Sequence, residues 1–298
     1  VHRYLPLGIP HDAREYVQQS VKSGQASTVD FKVKGYLEEF PFEKPGLGEF
    51  LITAKLQDVN YNYVPSYLLD PGQQAWPELQ RLSGELVIDK NSLALRNVKG
   101  QIAAAEPITL DDAKAGIADL NNPQVLVSAK ASGALNEMLN VVRGSAVSAM
   151  LEHVLDESHG TGRAQLALQL QLPIEHMDNC KVQGAVTVAG SNFTLMPEVP
   201  EVSQLHGTVH FSETGFSLNG LKAQALGGEL RLEGGMQSLG RKVTLADSEL
   251  DIKAHGTASA QGLQQAKSLE HVKPLTNYLQ GQADYRVQIA MRRGQPEV

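Results

Sequence analysis

Pro77-Glu78-Leu79-Gln80-Arg81-Leu82-Ser83-Gly84 returns 123 positions later as Pro200-Glu201-Val202-Ser203-Gln204-Leu205-His206-Gly207. Without a gap, the same offset carries Leu86, Ile88, Leu93 and Leu95 onto Val209, Phe211, Phe216 and Leu218. It also carries Lys130-Ala131-Ser132-Gly133 onto Lys253-Ala254-His255-Gly256. A register held that far marks a duplication, and the apolar–polar alternation inside it has the period of two of a half-buried strand. Units of this kind stack on their neighbours and present long surfaces.

Within the repeat the template is an apolar residue, a glycine two positions on, apolar residues at four and six, and a second alternating pair at eleven and thirteen. Leu82 to Leu95, Val182 to Leu195 and Leu205 to Leu218 fit it and predict three hairpins. Phe50 to Tyr63 is a looser fourth copy that lacks the glycine, with Tyr61 and Tyr63 on its return strand. Val125-Val127-Ala129-Ala131 and Leu250-Ile252-Ala254 add strands to the first and second units. Each Lys-Ala-x-Gly is followed by helical spacing. In the first unit the stripe is Leu135, Met138, Leu139 and Val142, then Val147 to Leu155 beyond Gly144; in the second it is Leu263, Ala266 and Leu269 before Pro274, then Leu275, Tyr278 and Leu279. Gly162-Arg163-Ala164 and Gly281-Gln282-Ala283 then open two further alternating strands.

Upstream, Asp12 and Glu15 make a capping box for a helix over residues 12–24 that ends at Gly24, and Val29, Phe31 and Val33 alternate with lysines and an aspartate. The predicted organisation is one continuous segment over 1–298. Residues 1–35 end a preceding unit, 50–172 form the first repeat and 182–291 the second. The fold class is mainly β with a few short helices, built from duplicated hairpin-plus-helix units. Residues 64–80 hold Pro65, Pro71-Gly72 and Trp76-Pro77 and read as a loop.

Composition excludes several classes of function. The 26 basic residues are dispersed among 33 acids for a net charge of −7, and aromatics make up 5%, so neither a phosphate-binding surface nor a base-stacking platform is present. Nucleic acid is not an expected partner, and Cys180 alone forms no internal disulfide. No apolar run reaches the ~18 residues of a membrane-spanning helix. The chain starts at Val1, and both ends fall near strand or helix patterns. It reads as a segment of a longer polypeptide whose anchor or signal lies outside it.

Some fourteen to seventeen strands by this reading present one apolar face each, against three helical stretches to cover them. At ~4.8 Å per strand such an array spans roughly 65 to 80 Å. Its apolar face must meet a second sheet, close on itself or hold an apolar ligand. The order of helix and alternating strands, with Glu39-Phe40-Pro41-Phe42, Trp76-Pro77 before a Leu-x-Gly strand, and Leu226-Gly227-Gly228, resembles the AsmA-like family over nearly the whole chain. That resemblance implies an extended, twisted antiparallel β-groove with an apolar floor. It implies a periplasmic location, with the parent protein anchored in the inner membrane of a Gram-negative bacterium, and phospholipid transfer between inner and outer membranes. No enzyme activity and no cofactor are expected.

Under that reading acyl chains lie on the inward face while headgroups stay at the rim. The expected lining is Phe50, Ile52 and Leu56 early in the chain, then Leu86, Ile88, Leu93 and Leu95 on the first hairpin, with Leu166, Leu168 and Leu170 ending that repeat. In the second repeat it is Val186 and Val188, then Val209, Phe211, Phe216 and Leu218, and finally Val287 and Ile289. The competing reading is a closed β-sandwich or solenoid scaffold that binds envelope glycan or protein partners; an enzyme ranks third. Cut sheet edges lead to an expectation of end-to-end association between copies.

Other motifs carry less. His206 and His210 stand ~13 Å apart along one strand face, too far to share a metal ion. Gly160-Thr161-Gly162-Arg163 opens a strand after a helix, the reverse of a phosphate loop, and reads as a plain turn. His153 with Glu152, Asp156 and Glu157 is a polar helix end, Asp111-Asp112 a loop or solvated strand end, and Asn192-Phe193-Thr194 a sequon inside a strand pattern.

Overall fold

Alternation with period two dominates the chain, and the computed structural model is accordingly mainly β and antiparallel, with short helices between strands. It describes residues 11–297 apart from 41, 43, 45, 70, 175–178, 239–247, 277, 293 and 294. The chain divides into two units, residues 1–132 with 167–181, and residues 133–166 with 182–298. Among the described residues no helix is long and apolar enough to cross a membrane.

The first unit contains α1 (His11–Ser20) and strands β1 (Val21–Gly35), β2 (Gly48–Tyr61), β3 (Leu79–Asp89), β4 (Ser92–Ile102), β5 (Ile108–Ile117) and β6 (Gln124–Ala134), the last up to Ser132. Each strand pairs antiparallel with the next in sequence. The second unit holds α2 (Leu135–Arg143), α3 (Ala146–Met150) and β7 (His159–Thr161). Next comes β8 (Arg163–Pro173), whose residues from Ala167 belong to the first unit. Then come β9 (Lys181–Thr194), β10 (Val202–Ser212), β11 (Gly215–Ala225), β12 (Gly228–Ser238), β13 (Ser248–Ser259), α4 (Ala260–Gln265), α5 (Lys273–Thr276), β14 (Gln282–Arg292) and β15 (Gln295–Glu297). Strands β9 to β15 again pair in sequence order, and β7 pairs with β9. Among the described residues, neither set of strands pairs back on its own start. The closure that a barrel or sandwich requires is therefore not made within either unit.

The duplicated stretch folds into duplicated geometry. β3 and β10, and likewise β4 and β11, have boundaries 123 positions apart. The cross-strand pairs Leu86–Leu95 and Ile88–Leu93 recur as Val209–Leu218 and Phe211–Phe216. The irregularities recur as well. Arg81 (φ 53°) and Gln204 (φ 50°) are left-handed at equivalent positions, as are Asn97 (φ 53°) and Gly220 (φ 63°). Each coincides with a skipped register, the signature of a β-bulge that bends its strand and strengthens its twist.

Two predicted hairpins are corrected by these bulges. Residues 50–61 and 182–194 each lie within one long strand, β2 and β9, rather than two strands joined by a turn. The five-residue step between apolar positions is odd, so it changes the strand phase, and a turn and a one-residue bulge both do that. Here the change is absorbed at Asp58 (φ 50°) and Gly190 (φ 76°). Two residues beyond each, an asparagine fixes the neighbouring bulge. Asn60 Oδ1 accepts the Arg81 amide at 3.1 Å, and Asn192 Oδ1 accepts the Gln204 amide at 3.3 Å. Asn60→Ala and Asn192→Ala are each expected to cost ~0.5–1.5 kcal/mol. The check is a lower urea midpoint with an unchanged m-value.

The predicted helix over residues 12–24 stops early, at Ser20. Val21 pairs with Tyr61 in β1, the Asn62 amide donates to Ser20 O at 2.8 Å, and Gly24 lies under Val59. β-pairing at a β-branched residue has overridden the last turn of the helical pattern. The stripe after Gly144 is also shorter than predicted. The Ser145 hydroxyl accepts the Val147 amide and caps α3, but Glu152 (φ 49°) and His153 (φ 63°) hold residues 151–157 in turns.

Candidate functional site

Cross-strand register places the apolar residues of each unit on one face. In the first unit Phe31, Ile52, Ile88, Leu93, Ile117 and Val125 oppose one another in turn from β1 to β6. Val29, Ala54, Leu86, Leu95, Ala115 and Val127 form the next row. Phe50 stands opposite Val33, and Leu56 opposite Gly84, so Phe50, Ile52, Leu56, Leu86, Ile88, Leu93 and Leu95 share this face. In the second unit Val186, Val209, Leu218, Gly234, Ile252 and Ile289 form one row, and Phe211, Phe216, Met236, Leu250 and Met291 the row beside it. Val188 and Val287 lie on the same face, opposite Gly207 and Ala254 respectively. Along β8, Leu166, Leu168 and Leu170 are half-buried and alternate with exposed Gln165, Ala167 and Gln169.

Bulges keep these faces continuous. Each inserted residue would otherwise turn the following side chains outward; instead Val98 continues the face of Leu95, and Leu221 that of Leu218. Three glycines then let large side chains lie flat. Leu82 lies over Gly100, Val98 over Gly84, and the Phe211 ring over Gly184, where any Cβ would collide with it.

On one side of the bulges the face is filled. In the second unit Leu135 and Leu139 of α2 pack with Ala164, Val188, Leu205, Leu221, Ala223, Ala225 and Leu230 in a buried cluster. Val188, expected as lining, is part of this core. The spacing of Leu135, Met138, Leu139 and Val142 signalled an apolar helix stripe, but its seat on the sheet was not read from sequence. In the first unit Leu82, Val98, Ile108, Leu110 and Ala131 are buried. At the adjoining end Tyr16 Oη lies 2.7 Å from Tyr61 Oη and donates to Tyr63 O at 3.0 Å, while Tyr63 meets Trp76 edge to face. Burial raises the phenol pKa of both Tyr61 and Tyr63.

On the other side, toward the β3–β4 and β10–β11 turns, the face is uncovered. Phe31 is 69% exposed and Ile289 52% exposed, while Ile52, Ile88, Leu93, Phe211, Phe216 and Ile252 are half-buried; Leu218, in the row nearer the bulges, packs against the buried cluster. Phe40 packs edge to face on Phe50, and buried Phe42 covers Gly35 and Gly48, so the Glu39-Phe40-Pro41-Phe42 motif bounds this face at the β1–β2 end. Pro41 itself lies outside the described residues.

Polar groups cluster at His153 in the second unit. Ser148 Oγ lies 3.0 Å and Asp156 Oδ2 2.7 Å from the same ring nitrogen of His153, Nδ1. A nucleophile–base–orienter relay needs two different ring nitrogens. The Ser148 hydroxyl, with His153, holds the Asp156 carboxyl below the usual carboxylate range. His206 Nδ1 is 2.6 Å from Gln204 O, a contact within its own strand. Asp112 stands opposite Lys130 at the skipped register of β5 and β6.

A family model described as YhdP protein matches residues 1–297. Comparison with curated proteins returns no match, and neither does comparison with solved structures.

Proposed function

This chain belongs to the YhdP protein family, bacterial envelope proteins of the bridge-like lipid-transport kind, and we propose that it is a segment of a periplasm-spanning lipid bridge between inner and outer membranes. Its cargo on this reading is phospholipid, with acyl chains on the apolar sheet faces and headgroups in water. The parent protein is anchored in the inner membrane, and parts of it outside these residues reach both membranes. Copies of the isolated segment associate through edge strands such as β1, which pairs with β2 and ends the strand order.

The observation that carries the reading is the uncovered apolar face on sheets that do not close within either unit. Exposing an acyl chain to water costs ~0.8 kcal/mol per CH₂, and a face of half-buried Ile, Leu, Val and Phe removes most of that barrier. No proton transfer or covalent step is needed.

Organic extraction and native mass spectrometry of the segment purified from a bacterium test the proposal. The expected result is co-purified phospholipid that is displaced by detergent. A lipid-free protein that also takes up none from phosphatidylethanolamine vesicles would overturn it.

A further inference from the structure

We infer that the left-handed bulges divide each unit's apolar face into two strips of different use. Acyl chains of phospholipid lie across the strands on the turn-side strip, while the bulge-side strip is closed to them. The inference rests on the lipid-carrying reading above and locates the cargo within it. In the second unit the bulge residues are Gly190, Gln204 and Gly220 on β9 to β11. On their far side Leu205, Leu221 and Leu230 are each at most 7% exposed, beneath or beside α2. On their near side Phe211, Phe216, Met236, Leu250, Ile252 and Ile289 form two rows with no charged side chain among them. In the first unit Asp58, Arg81 and Asn97 mark the same division. The cover gives out at β14, where Val287 is exposed although its row runs back through Ala254 and Leu232 to Leu221.

Dimensions decide the occupant. Two inward residues on one strand stand ~7 Å apart, so two rows offer a floor one or two acyl chains wide and too narrow for a helix of ~10 Å diameter. Across the six strands β1 to β6 the strip runs ~24 Å, longer than the ~15 Å that the tails of one leaflet span. The ion pair at this end does not intrude on the strip: Lys32 Nζ is 2.6 Å from Glu49 Oε2, and both residues alternate with the inward Phe31, Val33 and Phe50, so the pair lies on the opposite face.

The test places a photoreactive p-benzoylphenylalanine at one aromatic or outer-face position at a time in the full chain. The positions are Phe31, Phe211 and Phe216 on the turn-side strip, Tyr61 and Phe193 on the bulge side, and His210 on the opposite face. Each protein is incubated with vesicles of phosphatidylethanolamine and phosphatidylglycerol and irradiated, after its thermal transition has been matched to that of the parent chain. Lipid adducts at the strip positions at least tenfold above those at Tyr61, Phe193 and His210 are expected. Equal adducts at Phe193 or Tyr61 would overturn the division while leaving lipid carriage intact, and equal adducts at His210 would overturn a specific strip. Adducts nowhere, with no lipid in native mass spectra, would overturn the lipid reading itself.

Discussion

Leu221→Asp is expected to abolish folding of the second unit, whereas Phe211→Asp, ten residues away on the same face, leaves it folded and removes most bound lipid. Leu221 is 3% exposed, sits in the cluster with Leu135 and Leu139, and lies over Gly207. Truncating a leucine in such a site costs ~2–5 kcal/mol through lost transfer energy and the cavity left behind. A carboxylate there adds an effective penalty of several kcal/mol because no cation is within the cluster. Together these reach the ~5–15 kcal/mol that holds an ordinary domain together. Phe211 is half-buried, its ring flat on Gly184, and an aspartate in its place reaches water at the open strip. Its cost is the lost apolar contact, ~1.5–3 kcal/mol, together with a charge where an acyl chain would lie. Circular dichroism melting and extracted phospholipid per protein read the two effects separately. Equal unfolding by both changes would mean that the second face is one sealed core.

Much of this was legible because strand periodicity and duplication are both local patterns. The alternation of Leu86, Ile88, Leu93 and Leu95 named a face, and the recurrence at Val209, Phe211, Phe216 and Leu218 named its copy. What period counting lost was the distinction between a turn and a bulge. Gly190-Ser191-Asn192 has the composition of a turn, yet it lies inside β9 because β10 runs alongside the whole stretch and supplies partners on both sides of Gly190. The extent of α1 was lost for a similar reason, since Val21 finds Tyr61 forty residues on, beyond any local window. Burial was the third loss. Val188 and Val186 are indistinguishable as members of an alternating run, and only the seat of α2 makes the first a core residue and leaves the second beside the open strip.

Because α2 fills part of a face that would otherwise resemble the strip beside it, its removal has a large and two-sided consequence. Replacing Leu135, Met138, Leu139 and Val142 together by serine withdraws the apolar stripe from Val188, Leu205, Leu221 and Leu230 while keeping the chain length and the hydroxyl of Ser145 that caps α3. At ~1.5–3 kcal/mol for each large side chain returned to water, the loss approaches the whole stability of an ordinary domain. In buffer the fourfold variant is expected to aggregate, since the uncovered strip and the vacated one now form a single apolar surface of the size that marks association. With phosphatidylglycerol in excess it is expected to recover only part of that loss, seen as a raised thermal midpoint still below the parent's, because a ligand that binds only the folded state stabilises it by RT ln(1 + [L]/Kd), ~2.7 kcal/mol at a hundredfold excess over Kd. Recovery requires that tails occupy the space α2 gave up, so the variant should carry more lipid per chain than the parent. A variant as stable as the parent without lipid would show that α2 rests on the sheet without closing it, and the bulge-side strip would then be open in the native protein too.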